Sequence, residues 1–340
     1  MIHTYRTYPF WRTRVCDVDA ALDGATVGEV HTLCTSAGGH AVRYLTYGEK
    51  PDYNRRANYS SACGAKDPAC YADRAGRAPA ILLIGATHGQ ETEGVAAMLN
   101  LISLLETGRD LRGEEVPSIT GAYKACAPRL ILLPLYNIDG RVRCVPDSML
   151  EESPQSLRYH GQGTWKDGSL CGWPECKRIH PIRDAAGFLG AYYNDDGVNL
   201  MHDNFFSPMA EETRALLRLC DEEAPECVIG LHGGSNSTNE LLQPDYVSAA
   251  AKKGVLRLAE DVALRQTARG LKSRVHPIAA EPERPPSFNL TSAIHHVCGA
   301  VSSTYESNEG LLDKNAFTAE EILLHHYCLF ESLLALAWRS

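Results

Sequence analysis

The sequence lacks any apolar run long enough to cross a bilayer as a helix, which takes about 18 consecutive apolar residues. Its longest apolar runs, at 80–86 and 130–135, have the length of single buried strands. We therefore expect no membrane-spanning segment. The N-terminal stretch also has no apolar centre of the kind that marks a secretory signal, so we expect the protein to act in the cytoplasm.

Clustered positive charge is also missing from the sequence. Its 33 lysines and arginines are outnumbered by 42 aspartates and glutamates, which gives a formal net charge of −9 at pH 7. A nucleic-acid-binding surface needs concentrated basic side chains that neutralise phosphates. The composition therefore argues against a nucleic-acid partner, and the acidic surplus favours solubility.

The sequence has no Cys-x-x-Cys pair and gives no support for a zinc ribbon, although it contains twelve cysteines. In a chain of this length without an export signal, we expect these thiols to be free. Two close pairs lie in loop-like stretches, Cys63 with Cys70 and Cys171 with Cys176. For these pairs, free surface thiols are the favoured interpretation, and local disulfides or a second metal site are the alternatives.

The overall composition is that of an ordinary globular domain, with 44% hydrophobic and 22% charged residues. A domain of this size can bury a full core, so we expect a single domain over residues 1–340. Two stretches without sustained periodicity, 48–79 and 141–196, are predicted to be long loops. Loops of that length inside a domain are often functional.

Buried strands and helices alternate from residue 80 onwards. The apolar runs at 80–86 and 129–136 are each predicted to be a buried strand. Between them, apolar residues recur at helical spacing from Val95 to Leu105, and Gly108 ends this predicted helix. Further strands are predicted at 28–34, 40–47, 227–231 and 300–305, and further helices at 209–222, 246–268, 287–297 and from Thr318 onwards. This order predicts a three-layer α/β/α fold with a mixed, mostly parallel sheet.

Three potential metal ligands follow predicted strands. His88 and Glu91 follow the strand at 80–86, and His232 follows the strand at 227–231, at positions where open α/β sheets build their sites. Gly89 lets the chain turn sharply between the first two residues. Two imidazoles and one carboxylate form the ligand set of a catalytic Zn²⁺, which keeps one position open. We expect one zinc ion per chain; the plainer alternative is that these side chains cap a helix and a loop.

Glu306 comes at the end of another predicted strand, in the sequence SSTYESNEG. A carboxylate at such a position is costly unless it is solvated, paired or associated with a metal. We interpret Glu306 as a general base beside the metal, with a carboxylate that begins a surface loop as the alternative. The adjacent Tyr305 is predicted to point to the opposite face of the sheet.

Five short motifs occur in the order found in the zinc carboxypeptidases and their deacylase relatives, the aspartoacylases and succinylglutamate desuccinylases. They are His-x-x-Glu after a strand, Asn-x-Asp-Gly, Gly-Val-x-Leu, a strand followed by His-Gly, and Thr-x-Glu. The sequence resembles this family over about residues 28–335. The resemblance implies the zinc carboxypeptidase fold and zinc ligation by His88, Glu91 and His232. It also implies a general acid/base role for Glu306.

The sequence departs from this family where carboxypeptidases bind the terminal carboxylate of their substrate. In the stretch GVNLMHDNF, Met201 and His202 replace the family's Asn-Arg pair. A histidine lacks the bidentate fork of an arginine, and its charge fades above a pKa near ~6.5. We therefore expect His202 to bind the substrate in a pH-dependent way. The cations expected to hold the acidic group instead are Arg141, Arg143 and Lys166.

Two enzymatic functions are consistent with these residues. The first is a carboxypeptidase-like peptidase with non-standard carboxylate recognition, which the long stretch at 141–196 favours. The second is a deacylase that acts on N-acyl amino acids. The HGQE sequence resembles the HGNE of the deacylases and also of some bacterial peptidoglycan-cleaving members of the family. A non-catalytic zinc-binding protein is a third alternative. Glu306 argues against it, because structural zinc sites fill their fourth position with Cys or His.

Overall fold

The computed structural model describes residues 4–236, 239–275, 277 and 285–336, and within these residues the chain forms nine strands and eleven α-helices. The strands are β1 (Glu29–Thr35), β2 (Ala41–Tyr47), β3 (Ala80–Gly85), β4 (Arg129–Leu133), β5 (Gly163–Trp165), β6 (Ala186–Leu189), β7 (Cys227–Gly233), β8 (Glu240–Leu241) and β9 (Val301–Ser307). The helices are α1 (Thr4–Thr7), α2 (Val15–Asp23), α3 (Tyr59–Gly64), α4 (Glu93–Thr107), α5 (Pro117–Cys126), α6 (Ile138–Arg143), α7 (Pro154–Gln162), α8 (Glu211–Glu223), α9 (Ala249–Ala268), α10 (Leu290–Cys298) and α11 (Ala319–Ala335).

Seven strands form one mixed sheet in the order β1-β2-β4-β3-β7-β9-β8. The four central strands, β4, β3, β7 and β9, run parallel to one another. At the edges, β1 pairs antiparallel with β2, β2 with β4, and β8 with β9. The strands predicted at 28–34 and 40–47 are confirmed as β1 and β2, and the predicted mostly parallel arrangement of the sheet is confirmed as well.

The central strands are apolar throughout because they are covered on both faces. In β3, Ile81 and Leu83 pack into a hydrophobic core shared with α4, α9 and α11, whereas Leu82 and Ile84 pack into a second core with α8 and α10. Successive side chains of a strand point to opposite faces, so each core receives every second residue. The structure therefore confirms the predicted three-layer α/β/α arrangement.

Helix ends follow the signals in the sequence. Gly108 ends α4 in the left-handed conformation, with φ of 80°, and its N–H bonds to the carbonyl of Leu104. At the start of α11, the Thr318 hydroxyl accepts from the N–H of Glu321, whose carboxylate accepts from the N–H of Thr318. Among the described helices, none combines the length and apolar character that crossing a bilayer takes.

The stretch 141–196 is more ordered than its composition predicts. It contains α7 and a two-stranded antiparallel sheet formed by β5 and β6. A small separate core packs within it, formed by Cys171, Cys176, Ile182, Tyr192 and Tyr193. Sequence periodicity does not reveal this core, because its members come from several short segments. The helix α3 within 48–79 has only six residues, too few for a helical period to show in the sequence.

All twelve cysteines have free thiols in the structure, but the expected surface position is wrong for one of the two close pairs. Cys171 and Cys176 are buried in the small core, whereas Cys63 is exposed and Cys70 half-buried. Burial raises the pKa of Cys171 to about 11, so this thiol stays protonated and unreactive near neutral pH.

Candidate metal centre and active site

His88 and Glu91 lie in the turn between β3 and α4, at the carboxyl end of a central strand. Both side chains are buried, and His88 Nδ1 is 2.8 Å from Glu91 Oε1. Between them, Gly89 packs against Gly140 and Arg141 so closely that a β-carbon there would lie 2.3 Å from their backbone atoms. Glycine is therefore required by the close approach of two turns, and this contact determines where the two ligands lie.

His232 and Glu306 lie directly opposite each other on the neighbouring parallel strands β7 and β9. The strand β7 extends to Gly233, so His232 belongs to the strand rather than to the loop after it. Tyr305, the residue before Glu306, is fully buried on the opposite face, where its hydroxyl accepts a hydrogen bond from Gln266. The predicted orientation of Tyr305 is thus confirmed, and Glu306 shares a sheet face with His232.

The three predicted ligands come together at one point. A nitrogen of His88, a nitrogen of His232 and a carboxylate oxygen of Glu91 all lie within 4.8 Å of one another. His232 Nδ1 is 3.0 Å from Glu91 Oε2, yet this buried oxygen accepts no aligned hydrogen bond from the described residues. A buried nitrogen and a buried carboxylate oxygen that lie this close without an aligned hydrogen bond fit two ligands of one shared cation. Because two imidazoles and a carboxylate are typical zinc ligands, the residues fit Zn²⁺.

The imidazole of His88 is held by two further residues. Its Nε2 is 3.3 Å from Oδ1 of Asn199. Because an amide oxygen only accepts hydrogen bonds, Nε2 carries the proton and Nδ1 keeps its lone pair. The ring of Tyr192 stacks on the imidazole, with centroids 3.6 Å apart and planes at 12°. Such contacts set the tautomer and orientation of a metal-binding histidine. Tyr192 was not identified from the sequence, since the run AYYN around it resembles no motif.

The charges of the three candidate ligands influence one another. Burial opposes ionisation of Glu91, but His88 and His232 outweigh it and lower the pKa of this carboxyl to about 2. Burial lowers the pKa of His88. For His232, burial acts in the same direction, but the neighbouring carboxylates outweigh it and raise the pKa. Glu91 is therefore ionised at neutral pH, as a metal ligand must be.

Glu306 is half-buried beside the ligands. Burial raises its pKa to about 7, and the negative charges of Glu91 and Glu240 act in the same direction. His232 and Lys177 oppose this shift. A carboxyl group with a pKa near the working pH both accepts and donates protons readily, which suits the general acid/base role implied by the sequence.

Lys177 brings a cation to the site. It is not one of the three cations expected to hold the acidic group of the substrate. It lies in a short 3₁₀ turn (Glu175–Lys177), with its Nζ 3.0 Å from His202 Nε2. Burial and the nearby charge of Lys177 lower the pKa of His202 to about 3. His202 is therefore neutral near pH 7 and accepts a hydrogen bond from the ammonium. A neutral imidazole has no charge to lose between pH 6 and pH 8, so this pKa does not favour the pH-dependent binding expected of His202.

The other predicted cations have different surroundings. Arg141 is buried and donates to three backbone carbonyl groups, including that of Gly89. Arg143 pairs with Asp195 and donates to carbonyl groups within 189–193. Lys166 is exposed directly after β5. Both guanidinium groups thus stabilise the backbone around the site, and the charge of Lys177 acts on the pKa values of His88, His232 and Glu306.

Two further glutamates, Glu93 and Glu309, are wholly buried close to the ligands. Their carboxylates approach each other over Gly233, where a β-carbon would lie 2.8 Å from Glu309 Oε1 and 2.9 Å from Glu93 Oε2. Burial, with a contribution from Glu91, raises the pKa of Glu93 to about 8. Burial and the charge of Glu93 also raise the pKa of Glu309. The pair therefore holds at least one proton at neutral pH.

Glu93→Gln is expected to stabilise the protein increasingly as the pH rises. The native state keeps a proton on Glu93 that the unfolded chain releases above its ordinary pKa of 4.5, so wild-type stability falls between that pKa and about 8. Glutamine does not titrate. The free energy of unfolding that the variant gains over the wild type should therefore be about 1–3 kcal/mol larger at pH 8 than at pH 5, since one pKa unit corresponds to about 1.4 kcal/mol. Thermal unfolding at pH 5, 6.5 and 8 measures it. An exposed control, Glu260→Gln, should show no such trend; a gain equal at all three pH values would contradict the prediction.

Similarity to known proteins is found in structure and not in sequence: no protein-family model matches the chain, and no curated protein matches it. A metallo-carboxypeptidase from Burkholderia cenocepacia has a TM-score of 0.55 at 15% identity, over 93% of this chain and 66% of that one. One from Pseudomonas aeruginosa has a TM-score of 0.55 at 14% identity, over 94% and 66%. Carboxypeptidase A from Helicoverpa armigera has a TM-score of 0.55 at 16% identity, over 95% and 72%.

These similarities extend over nearly the whole of the described chain, which spans about two thirds of the length of the bacterial structures that it matches. The shared part is a mixed sheet covered by helices, the architecture that the sequence motifs implied. At these identities the likeness concerns the fold. The chain therefore has the fold of the metallo-carboxypeptidases.

Proposed function

We propose that the protein is a zinc-dependent hydrolase that cleaves an amide bond in a peptide-like substrate, with carboxylate recognition that differs from that of ordinary carboxypeptidases. The observation that carries the proposal is the convergence of His88, Glu91 and His232 within 4.8 Å, with Glu306 on the adjacent strand. Three protein ligands beside a free carboxylate are typical of catalytic zinc sites. The twelve free thiols support a reducing compartment, the cytoplasm.

Zinc bound by these ligands supplies a Lewis acid that polarises the scissile carbonyl and makes a water molecule more acidic. The chain's own residues supply the proton transfers. Glu306 accepts the proton of the attacking water and donates it to the leaving amine, which requires a pKa near the working pH. Asn199 and Tyr192 hold the imidazole of His88 in one orientation during these steps.

Lys177 is the cation that we propose for binding an acidic group of the substrate. Its ammonium contacts His202, which stands where carboxypeptidases carry their arginine, and its charge acts on the pKa values of His88, His232 and Glu306. An ammonium is a point charge and lacks the planar fork of a guanidinium, so it accepts carboxylates in several orientations. The Pseudomonas aeruginosa structure was solved with (2-guanidinoethylmercapto)succinic acid, a dicarboxylic ligand.

A deacylase is the second candidate function. Met201 and His202 replace the Asn-Arg pair that holds a terminal carboxylate, and this replacement favours substrates whose acidic group is presented differently. N-acyl amino acids with an acidic side chain meet that requirement as well as peptides do. The two candidates share the metal ligands and Glu306, and they differ only in the size of the acyl part of the substrate.

The test is a panel of hippuryl-type dipeptides, muropeptides and N-acyl amino acids, assayed at pH 6 and pH 8 with zinc and after chelation. We expect zinc-dependent hydrolysis, with ordinary dipeptides cleaved roughly ten- to a hundredfold less efficiently than the preferred class, because the bidentate anchor is missing. Absence of zinc-dependent amide hydrolysis across the panel would overturn the proposal. Efficient release of C-terminal residues from ordinary dipeptides would overturn the non-standard recognition alone.

The role of Lys177 is tested in the same assays. Lys177→Met should raise KM for substrates with a free carboxylate by roughly tenfold or more and leave their amidated forms unaffected. Lys177→Arg should largely preserve the difference between free and amidated substrates. Arg178→Met, a change of the exposed neighbouring cation, is the matched control. Equal losses for free and amidated substrates would show that Lys177 does not bind the carboxylate.

A further inference from the structure

An exposed aromatic cluster lies beside the cation of the site. The ring centre of Phe288 lies 5.8, 6.1 and 6.0 Å from those of Phe205, Phe206 and Tyr246, respectively. Phe206 is 86% exposed and Tyr246 is 51% exposed. Grouped aromatic rings on a surface are unusual for a soluble domain unless they bind something, because covering them releases free energy.

Hydrogen bonds hold the backbone that carries these rings. The Asn204 side chain accepts from the N–H of Phe206 at 3.3 Å, and Asp203 accepts from the N–H of Ala210 at 2.9 Å. On the other side of the cluster, His296 donates to the carbonyl oxygen of Tyr246 at 2.7 Å. The backbone on both sides of the exposed rings is therefore held by hydrogen bonds.

The cluster is continuous with the acid-binding part of the site. His202 contacts Lys177 through Nε2, at 3.0 Å, and Ser287 through Nδ1, at 3.4 Å. Ser287 immediately precedes Phe288, so the ammonium and the aromatic cluster lie on either side of one imidazole. A molecule whose carboxylate binds Lys177 can therefore reach the cluster with the part of its chain beyond the carboxylate.

We infer that the aromatic cluster is a subsite for a part of the substrate that lies beyond the acidic group bound at Lys177, and that this part carries an aromatic ring. The inference rests on the proposed function and deepens it by naming the substrate class. The acidic group is then internal to the substrate, as in a glutamyl side chain, and does not form its end. Aromatic pairs are favourable at centroid distances of about 4.5–7 Å, the spacing that these rings already have among themselves.

The experiment compares hippuryl-Glu-Phe-amide with hippuryl-Glu-Ala-amide. In both peptides the amide bond between the hippuryl group and Glu is hydrolysed, which releases hippuric acid. The residue after Glu is the one expected to reach the cluster. KM is measured with the zinc-loaded enzyme, and Kd is measured by calorimetry with the Glu306→Gln variant. We expect the phenylalanyl peptide to bind about three- to tenfold more tightly, from partial burial of one ring. The turnover number, kcat, should be the same for both peptides.

Phe206→Ala and Tyr246→Ala should each reduce this preference, and because both side chains are exposed, folding should not depend on them. Leu264→Ala, which removes a large apolar side chain that is 68% exposed on α9, should leave the preference unchanged. Equal Kd values for the two peptides, or a preference that survives both aromatic substitutions, would overturn the subsite. A preference in Kd without any hydrolysis would support the subsite and overturn the proposed function instead.

Discussion

Alanine in place of His88 or His232 is expected to abolish zinc binding and to lower amide hydrolysis by roughly a thousandfold or more, because the Lewis acid is lost with its ligand. Each imidazole supplies one of only three protein ligands, and the remaining pair would hold zinc too weakly to survive dialysis. Metal analysis of the dialysed proteins should find about one zinc per chain in the wild type and almost none in either variant.

A loss of zinc could also follow from misfolding, so the comparison needs a matched histidine. His31 lies half-buried on β1, at the far edge of the sheet, and His31→Ala should keep both zinc and activity. Circular dichroism and thermal unfolding should show folded protein for all three variants. Full zinc occupancy in folded His88→Ala and His232→Ala would exclude the ligand assignment.

Glu306→Gln is expected to keep its zinc and its fold while losing turnover by about 10²–10⁴, the usual contribution of a general acid/base. Glutamine has nearly the same shape as glutamate, and it neither accepts nor donates the proton that the reaction moves. The position is half-buried on a regular strand, so the exchange removes no packing. Steady-state kinetics and metal analysis of the same preparation measure both quantities, and a fully active variant would exclude Glu306 from the mechanism.

The pH profile distinguishes a proton-transfer role for Glu306 from a purely structural one. Protonation of Glu306 should produce an acidic limb in the wild-type profile, at or below pH 7, because a bound cation favours the ionised carboxylate. Glu306→Gln should lack this limb. Glu240 pairs across the strands with Glu306 and raises its pKa, so Glu240→Gln should move the limb to lower pH and keep the turnover.

The parts of the molecule that could be predicted from the sequence depend on local pattern. The run at 80–86 is apolar at every position because both faces of β3 are buried. His88, Glu91 and His232 could be located because parallel strands bring their carboxyl ends together at one edge of the sheet. The same argument identified Glu306, since the period of two in β9 separates it from Tyr305.

The remaining residues near the site depend on contacts between distant segments, which sequence spacing does not contain. Lys177 contacts His202 because the small core within 141–196 positions its turn. Nothing in the local sequence separates it from other lysines. Tyr192 stacks on a histidine more than a hundred residues before it. Glu93 and Glu309 resemble ordinary helix and loop carboxylates until the fold buries them together.

The surroundings of the two arginines could not be predicted from the sequence either. Arg141 and Arg143 follow the Asn-x-Asp-Gly motif, and their charge suggested that they bind the substrate. In the structure, their donors are used by carbonyl groups of the surrounding turns. A sequence gives the charge of a side chain and not its direction, and a guanidinium group with five donors serves buried backbone oxygens as well as it serves a carboxylate.

The pairing of His232 with Glu306 across β7 and β9 has a consequence for how proteins with this fold change over time. Backbone hydrogen bonds between parallel strands set the separation of these two side chains, and no loop contributes to it. Insertions such as 141–196 can therefore grow, shrink or be exchanged without altering the spacing between His232 and Glu306. Selection for a new substrate can act on the loops while the reaction chemistry is inherited unchanged with the sheet.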